Sequence, residues 1–394
     1  MHILHVVGAR PNFMKAAPVF HALRARPAMR QTIVHTGQHY DKNLSDVFFS
    51  QLEIPAPDVN LGVGSATHAR QTADIMIGFE PVVRERKPDI VLVYGDVNST
   101  VAAALVCAKL LLPVAHVEAG LRSFDRTMPE EVNRIVTDRL ADILFTPSED
   151  GDENLLGEGV SPKNIHRVGN VMIDSLVRLL PAAGRCPPSG LPGRFALVTL
   201  HRPSNVDDSH ALKSILESLL AVHDQLEVVF PVHPRTRARI VQFGLNADRL
   251  HLLEPVPYIE FLALQKRATA VITDSGGIQE ETTYLQVPCL TLRSNTERPI
   301  TVTMGSNTLV GQDSRKLALE LSAILAGRGK RGCIPPLWDG HAGERIADVV
   351  QNFDVTRVGM IRPASTAARD RAQRSPARST MPPADQAEKR GPTG

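Results

Sequence analysis

Three features of this sequence predict an α/β fold made of two doubly wound, Rossmann-like domains facing each other across a cleft. From Met1 to about Asn170 short apolar runs alternate with amphipathic helical patterns, as βα units on a parallel sheet require. The alternation restarts at Phe195, after a Pro-, Gly- and Ala-rich stretch from Pro181 to Pro192 that reads as an interdomain linker. At 394 residues, with 43% hydrophobic content and mixed charge signs, the chain is long enough for two separate cores. The expected division is an amino-terminal domain over 1–170 and a carboxy-terminal domain over 171–344. A terminal helix, within Gly340 to Phe353 or about 345–361, packs back on the first domain. The Ala-, Pro-, Ser- and Arg-rich 363–394 form a disordered tail.

Composition narrows the function. A formal charge of +2 and 4% aromatic residues, with no aromatic-studded basic patch, argue against nucleic acid and for a small-molecule partner. The chain opens directly on a strand, MHILHVVG, without an export signal. The longest apolar stretch, Val101 to Val117, is broken by Lys109 and Pro113 and reads as helix then strand, not a membrane span. Cys107, Cys186, Cys289 and Cys333 are far apart and lack metal-ligand spacing, which fits reduced thiols in the cytoplasm and no bound metal.

Taken in order, the first strand, Ile3 to Val7, ends in Gly8-Ala9-Arg10-Pro11, and a helix follows from about Asn12. Arg10 and Lys15 then straddle a helix amino end, where free N–H groups and the helix dipole favour an anion. A second strand runs from Gln31 to Thr36. The Gly-rich LGVGSATHA that begins at Leu61 lacks the third glycine and the strand and helix of a dinucleotide fingerprint, so no cofactor is expected. Ile90 to Tyr94 suits a central parallel strand ending at Gly95-Asp96, before a helix near Ser99. Asp96 serves there as a cap or as a ligand at the sheet edge.

The densest signal is His116 to Arg134, HVEAGLRSFDRTMPEEVNR. Val114, Ala115 and Val117 continue a buried-strand pattern, so Glu118 falls at the strand's carboxyl edge, where open α/β sheets bind ligands. Pro129 opens a helix on which Val132, Ile135, Val136 and Leu140 form the expected core-facing stripe, with Glu130, Asn133, Arg134 and Thr137 opposite. Singly, Glu118 and Glu130 would pass for solvated charges. Together, beside arginines, they suit proton transfer on a bound anion.

A further βα unit spans Ala141 to Pro147, and His166 to Asn170 reads as the last strand of the first domain. In the second half Phe195 to Leu200 ends in His201-Arg202-Pro203, and a helix runs from Ser209 through His223. Leu226 to Val232 ends at His233-Pro234-Arg235, Leu250 to Leu253 precedes a helix over Ile259 to Lys266 that carries Phe261, and Ala270 to Thr273 stops at Asp274. Ser275-Gly276-Gly277 then opens a helix, small residues whose N–H groups can converge on a phosphate; a Gly-Gly pair also makes plain tight turns. Whichever of Glu280 and Glu281 points inward must serve something other than phosphate, and ribose hydroxyls are the natural candidate. After Leu290 to Leu292, the loop Arg293 to Pro299 offers another cation.

The stretches GARPNFMK (Gly8 to Lys15), GDVNST (Gly95 to Thr100), HVEAGLRSFDRTMPEEVNR, VTLHRPSNVD (Val198 to Asp207), FPVHPRT (Phe230 to Thr236), TDSGGIQEE (Thr273 to Glu281) and NTERP (Asn295 to Pro299) closely resemble the non-hydrolysing UDP-N-acetylglucosamine 2-epimerases, in that family's order and with similar spacing. The resemblance runs from Met1 to about Phe353 and implies a GT-B-like arrangement. It also implies interconversion of UDP-N-acetylglucosamine and UDP-N-acetylmannosamine for cell-envelope polysaccharide, a homodimer, and a cleft that closes over the UDP-sugar. By likeness, Asp96, Glu118 and Glu130 are the acid/base carboxylates and His201 supports catalysis near the departing diphosphate. Arg10 and Lys15 are nucleotide- and phosphate-side cations, Ser275, Gly276 and Gly277 the phosphate cradle, and Glu281 the ribose contact. Phe261 walls the uridine, Arg298 is a further UDP ligand, His233 belongs to the substrate-binding set, and Arg122 and Arg134 organise the pocket. The C2 hydrogen is not next to a carbonyl, so without a redox cofactor it must leave together with UDP, giving a glycal. The same residues would serve an epimerase of a diacetamido-uronic acid nucleotide; a GT-B glycosyltransferase would need an acceptor groove. GQHYDKNLSD (Gly37 to Asp46) and HRPSNVD (His201 to Asp207) depart from the segments that hold an activating second substrate in the bacterial branch, and the Arg122 to Pro129 loop is shorter.

Overall fold

The computed structural model describes residues 1–38, 51–185 and 190–354. The first half alternates β1 (His2–Val7), α1 (Arg10–Arg24), β2 (Arg30–His35), β3 (Val59–Asn60), α2 (His68–Arg86), β4 (Ile90–Tyr94), α3 (Asn98–Lys109), β5 (Val114–Val117), α4 (Pro129–Leu140), β6 (Ile143–Thr146), α5 (Glu149–Gly157), β7 (Ile165–Arg167) and α6 (Val171–Arg185). Its strands form one parallel sheet in the order β3-β2-β1-β4-β5-β6-β7. The second half repeats the pattern with β8 (Phe195–Thr199), α7 (Pro203–Val206), α8 (Ser209–His223), β9 (Glu227–Pro231), α9 (Pro234–Gln242), β10 (His251–Leu253), α10 (Tyr258–Arg267), β11 (Ala270–Thr273), α11 (Gly276–Leu285), β12 (Cys289–Thr291), α12 (Pro299–Thr303), β13 (Asn307–Leu309), α13 (Ser314–Leu325) and α14 (Ala342–Gln351). The second sheet is also parallel, in the order β10-β9-β8-β11-β12-β13. Both orders reverse direction once, between β1 and β4 and between β8 and β11. The loops leaving those strands therefore bound the crevice where such sheets hold ligands.

Each sheet is buried on both faces, which is why its strands read as continuous apolar runs. Along β1, Ile3 and Val7 pack into one cluster with Phe13, Phe20 and Leu23 of α1, while Leu4 and Val6 pack oppositely with Phe79 and Val83 of α2. The alternation follows the two-residue period of a strand. α14 returns to the first half, where Ala342, Ile346, Ala347 and Val350 join the α1 cluster. Its amino end is held by Asp174 of α6, whose oxygens accept from Ala342 N (3.1 Å) and Gly343 N (2.7 Å). Ahead of α14, buried Trp338 packs on Ile173 and Ile300 and donates to the Pro147 carbonyl at 2.9 Å.

Two expectations are corrected. The supposed linker from Pro181 is helical as far as Arg185, because the buried stripe Met172, Leu176, Leu179, Ala183 continues past Pro181. Residues 186–189 lie outside the described residues, as do Cys186 and the 363–394 tail. α4 is turned the other way round: Glu131, Asn133, Arg134, Thr137 and Asp138 are its buried residues, whereas Val132 is exposed and Ile135, Val136 and Leu140 are only half-buried. Apolar spacing finds a helix but does not fix its inward face when the polar residues satisfy one another in pairs.

Candidate active site

Asp96, Glu130, His201, the Ser275–Gly277 turn, Lys15, Glu281 and Arg298 all line one cavity of about 400 Å³ between the two halves. Glu118 sits directly behind its wall. The Glu118 carboxylate is buried, with Oε2 on Lys15 and Oε1 accepting from Arg298 Nη2 at 2.9 Å. Burial alone would raise the Glu118 carboxyl, but Lys15 and Arg298 outweigh it and hold it below the usual carboxylate range. Its backbone is left-handed, φ +73°, an unusual state for a residue with a side chain and one held here by the N–H bonds of Glu118 and Ala119 to the Phe145 carbonyl. Across from it Gly95, at φ +62°, leaves room for this pair, since a Cβ there would lie 2.5 Å from Lys15 Nζ and 3.0 Å from Glu118 Oε2.

Behind the carboxylates is a layer of paired charges. Arg134 holds Asp96 and Glu131, and Glu131 accepts from Ser123 N at 2.9 Å and Phe124 N at 3.0 Å, folding the loop that carries Met128 and Glu130 to the cavity rim. His116 lies between Asp138 (2.6 Å) and the Gly95 carbonyl (2.8 Å), tying the end of β4 to the end of β5. Arg122 completes this layer on Asp138 and Glu158, both at 2.7 Å. Arg122 and Arg134 thus both engage carboxylates of the first half.

From the second half, buried Asp274 is the hub. It accepts from Arg202 N at 2.9 Å and Asn205 Nδ2 at 3.1 Å, and its Oδ1 lies 2.9 Å from His201 Nδ1, fixing a half-exposed ring. Burial would raise the Asp274 carboxyl; His201 and these N–H donors hold it low. Gly276 permits close approach of the turn to the cations, because a Cβ on it would stand 2.5 Å from Arg298 Nη1 and 2.6 Å from Glu297 Oε1. Arg298 pairs with Glu118, Glu280 and Glu297, joining the two halves at the cavity floor.

Other expected residues fall differently. His233 caps α9, accepting from Arg235 N at 3.3 Å, and does not line this cavity. Phe261 packs against the Phe195, Leu197 and Val271 cluster instead of walling the cavity, because α10 turns that side toward the sheet. Glu281 is buried, with its oxygens on Tyr258 Oη (2.8 Å) and Gln265 Nε2 (2.6 Å). The Arg10 side chain lies outside what the structure describes. Sequence reasoning missed Asp274, Glu131, Arg202 and Glu297 as members of the site, and left open which of Glu280 and Glu281 points inward; both line the cavity. Asp274 carried a usable signal: like Asp96, it is an acid at the carboxyl end of a central strand.

The UDP-N-acetylglucosamine 2-epimerase family model matches residues 21–351. The chain belongs to that family. It is 41% identical over 365 residues to the UDP-N-acetylglucosamine 2-epimerase of Methanocaldococcus jannaschii, spanning 89% of this chain and 99% of that one. It is 43% identical over 353 residues to the UDP-2,3-diacetamido-2,3-dideoxy-D-glucuronate 2-epimerase of Pseudomonas aeruginosa, spanning 88% and 99%. The crystal structure of the M. jannaschii epimerase in complex with UDP-GlcNAc and UDP superposes with a TM-score of 0.82 at 41% identity, over 90% of this chain and 100% of that one. The epimerase fold, two parallel sheets of GT-B type, is therefore shared.

Proposed function

We propose that this epimerase interconverts UDP-N-acetylglucosamine and UDP-N-acetylmannosamine by losing and regaining UDP. The observation that carries this is Arg298, which binds Glu118 of the first half while standing against the Ser275–Gly277 turn of the second. One cation thereby links a proton carrier to a phosphate cradle.

In the proposed reaction a carboxylate removes the C2 proton as the C1–O bond breaks. The C–H electron pair becomes the C1=C2 bond, and the C1–O pair leaves with UDP. UDP then re-adds to C1 while a carboxyl returns a proton to the other face of C2, so no net oxidation occurs. Asp96, Glu118 and Glu130 supply acid and base between them. Lys15, Arg298 and the α11 amino end receive the diphosphate, with His201, oriented by Asp274, beside it as UDP departs. A diphosphate competing for Lys15 and Arg298 would release Glu118 from both. Glu281, with Tyr258 and Gln265 fixing its carboxylate, is the ribose contact, and Arg10 is kept as a nucleotide-side cation. Carboxylates come from one half and the phosphate cradle from the other, so we treat 1–170 together with the terminal helix from residue 345, and 171–344, as two domains that close on the substrate.

A cytoplasmic homodimer supplying cell-envelope polysaccharide completes the proposal. Among the described residues no helix is long and apolar enough to cross a membrane. An apolar groove lined by Met76 of α2 and Val132 of α4 gives the exposed stripe of α4 a place to meet a second copy, and Val132→Asp should shift the protein toward monomer in sedimentation velocity.

A second reading, a 2-epimerase of a diacetamido-uronic acid nucleotide, is favoured by the 43% identity to the P. aeruginosa relative. Incubating the protein in deuterated water with each nucleotide sugar and following C2 by NMR separates the two. Exchange with epimerisation on UDP-N-acetylglucosamine supports the first reading, and exchange confined to the uronate supports the second. Loss of UDP-sugar to an acceptor without exchange would sink both in favour of a glycosyltransferase.

A further inference from the structure

Another carboxyl, Glu280, lines the same cavity and has no part in the scheme above. It is buried in α11, with Oε1 2.9 Å from Arg298 Nε, while Oε2 has no hydrogen-bond partner among the described residues. The charged groups facing it are Arg298 at the cap of α12, Glu118 at the end of β5 and Lys15 of α1. Of the other elements packed on α11, α6 brings Met172 against Gly277, and Tyr258 and Gln265 of α10 are bonded to Glu281. The strands beneath, β11, β12 and β13, read AVIT, CLT and NTL and carry no charge, nor does α12, PITVT.

Arg298 is thus shared by three carboxylates, and a diphosphate at the Ser275–Gly277 turn would be a fourth claimant. The three are not equally provided for. Glu297 also has Arg293 at 2.7 Å and Arg202 at 3.9 Å, and Glu118 also has Lys15. Among the described residues Glu280 is ion-paired with Arg298 alone, Lys15 facing it without a direct pair. When phosphate oxygens draw on that guanidinium, Glu280 is the carboxylate left buried without a counter-ion, beside new negative charge.

We propose that Glu280 takes up a proton when a diphosphate binds beside Arg298, so that UDP binding and protonation of this carboxyl are coupled; this rests on the diphosphate placement made above. The neutral carboxyl gains an O–H directed from its unpartnered oxygen, a donor that phosphate can accept. Burial already pushes Glu280 up to about 7, with Arg298 opposing and Glu118 adding to the rise.

The test is calorimetric titration of UDP into the wild type and Glu280→Gln between pH 6 and 8.5, each in buffers of different ionisation enthalpy. Glutamine keeps the shape and a donor but does not titrate, and UDP's own ionisation cancels between the proteins. The wild type should take up close to one more proton per UDP than the variant at pH 8. Above pH 7 its Kd should rise about tenfold per pH unit relative to the variant. Equal proton counts and parallel Kd profiles would overturn the proposal. Should Glu280→Gln misfold, the wild type alone decides: at pH 8 the phosphate of UDP is already ionised, so absence of proton uptake refutes the coupling. Arg298→Ala separates the two layers of inference. If it leaves UDP affinity unchanged, the placement of the diphosphate fails and the coupling with it. If it weakens UDP at least tenfold yet the wild type takes up no proton, the coupling alone is overturned.

Discussion

Replacing Asp274 by asparagine asks whether His201 acts through the geometry that its buried partner imposes. In the wild type every neighbour of this carboxylate is a nitrogen: His201 N and Arg202 N, Asn205 Nδ2, and His201 Nδ1 at 2.9 Å. An amide puts an NH2 where one oxygen was, so at least one buried N–H faces another donor. Losing one or two charge-assisted bonds of this kind costs about 1.5–3 kcal/mol each, or about 3 kcal/mol for the site. The His201 ring is half-exposed and, among the described residues, is held by Asp274, so it should turn or change tautomer. If that ring assists departure and return of UDP, kcat for epimerisation should fall about 10²–10⁴-fold, while KM changes less than about tenfold because Lys15 and Arg298 stay in place. The assay is a coupled measurement of kcat and KM, with thermal unfolding run beside it to register the expected stability loss. A variant destabilised by this amount but with kcat within threefold of the wild type would refute a catalytic part for His201. Equal loss in kcat and in UDP binding would mean that Asp274 serves only the turn that follows it.

Three other outcomes are expected. Glu118→Gln should retain UDP binding within about tenfold in calorimetry but lose epimerisation and C2 proton exchange together, by at least about 10²-fold; retained exchange would remove Glu118 from the proton-carrying set. Gly276→Ala places a methyl group within 2.6 Å of Glu297 and Arg298 side-chain atoms and should weaken UDP by at least about tenfold, at about 1–3 kcal/mol of stability from overpacking; unchanged affinity would show that Arg298 yields freely. Asp174 is buried and its carboxyl is raised to about 6, burial outweighing the N–H bonds from α14. A raised folded pKa means that the native state binds the proton more tightly, so this residue's contribution to stability is full below about pH 4 and is lost as pH rises through 6. The stability of Asp174→Asn relative to wild type should therefore improve between pH 4 and 7 by up to about 3 kcal/mol in urea unfolding, and a difference independent of pH would refute the assignment.

The sequence by itself determined the α/β class, the strand that ends at each functional loop, and the family. Those depend on short-range patterns: apolar runs of β4, β5 and β11 stop one residue short of Gly95, Glu118 and Asp274, and glycines or acids follow immediately. It also pointed to Asp96, Glu130, His201 and the Ser275–Gly277 turn, which line one cavity because loops at the carboxyl ends of parallel strands converge there. Tertiary structure alone decided which way α4 faces, because its inward side is polar and its burial is compensated by partners as distant in sequence as Asp96 and His116. It decided that Glu118 is masked by Lys15 and Arg298, that Glu131 braces a loop while Glu130 lines the cavity, and that Phe261 turns toward the core. Burial of a charge depends on which opposite charges the rest of the fold brings within about 3–4 Å, a condition set between residues more than a hundred positions apart and invisible to any local pattern.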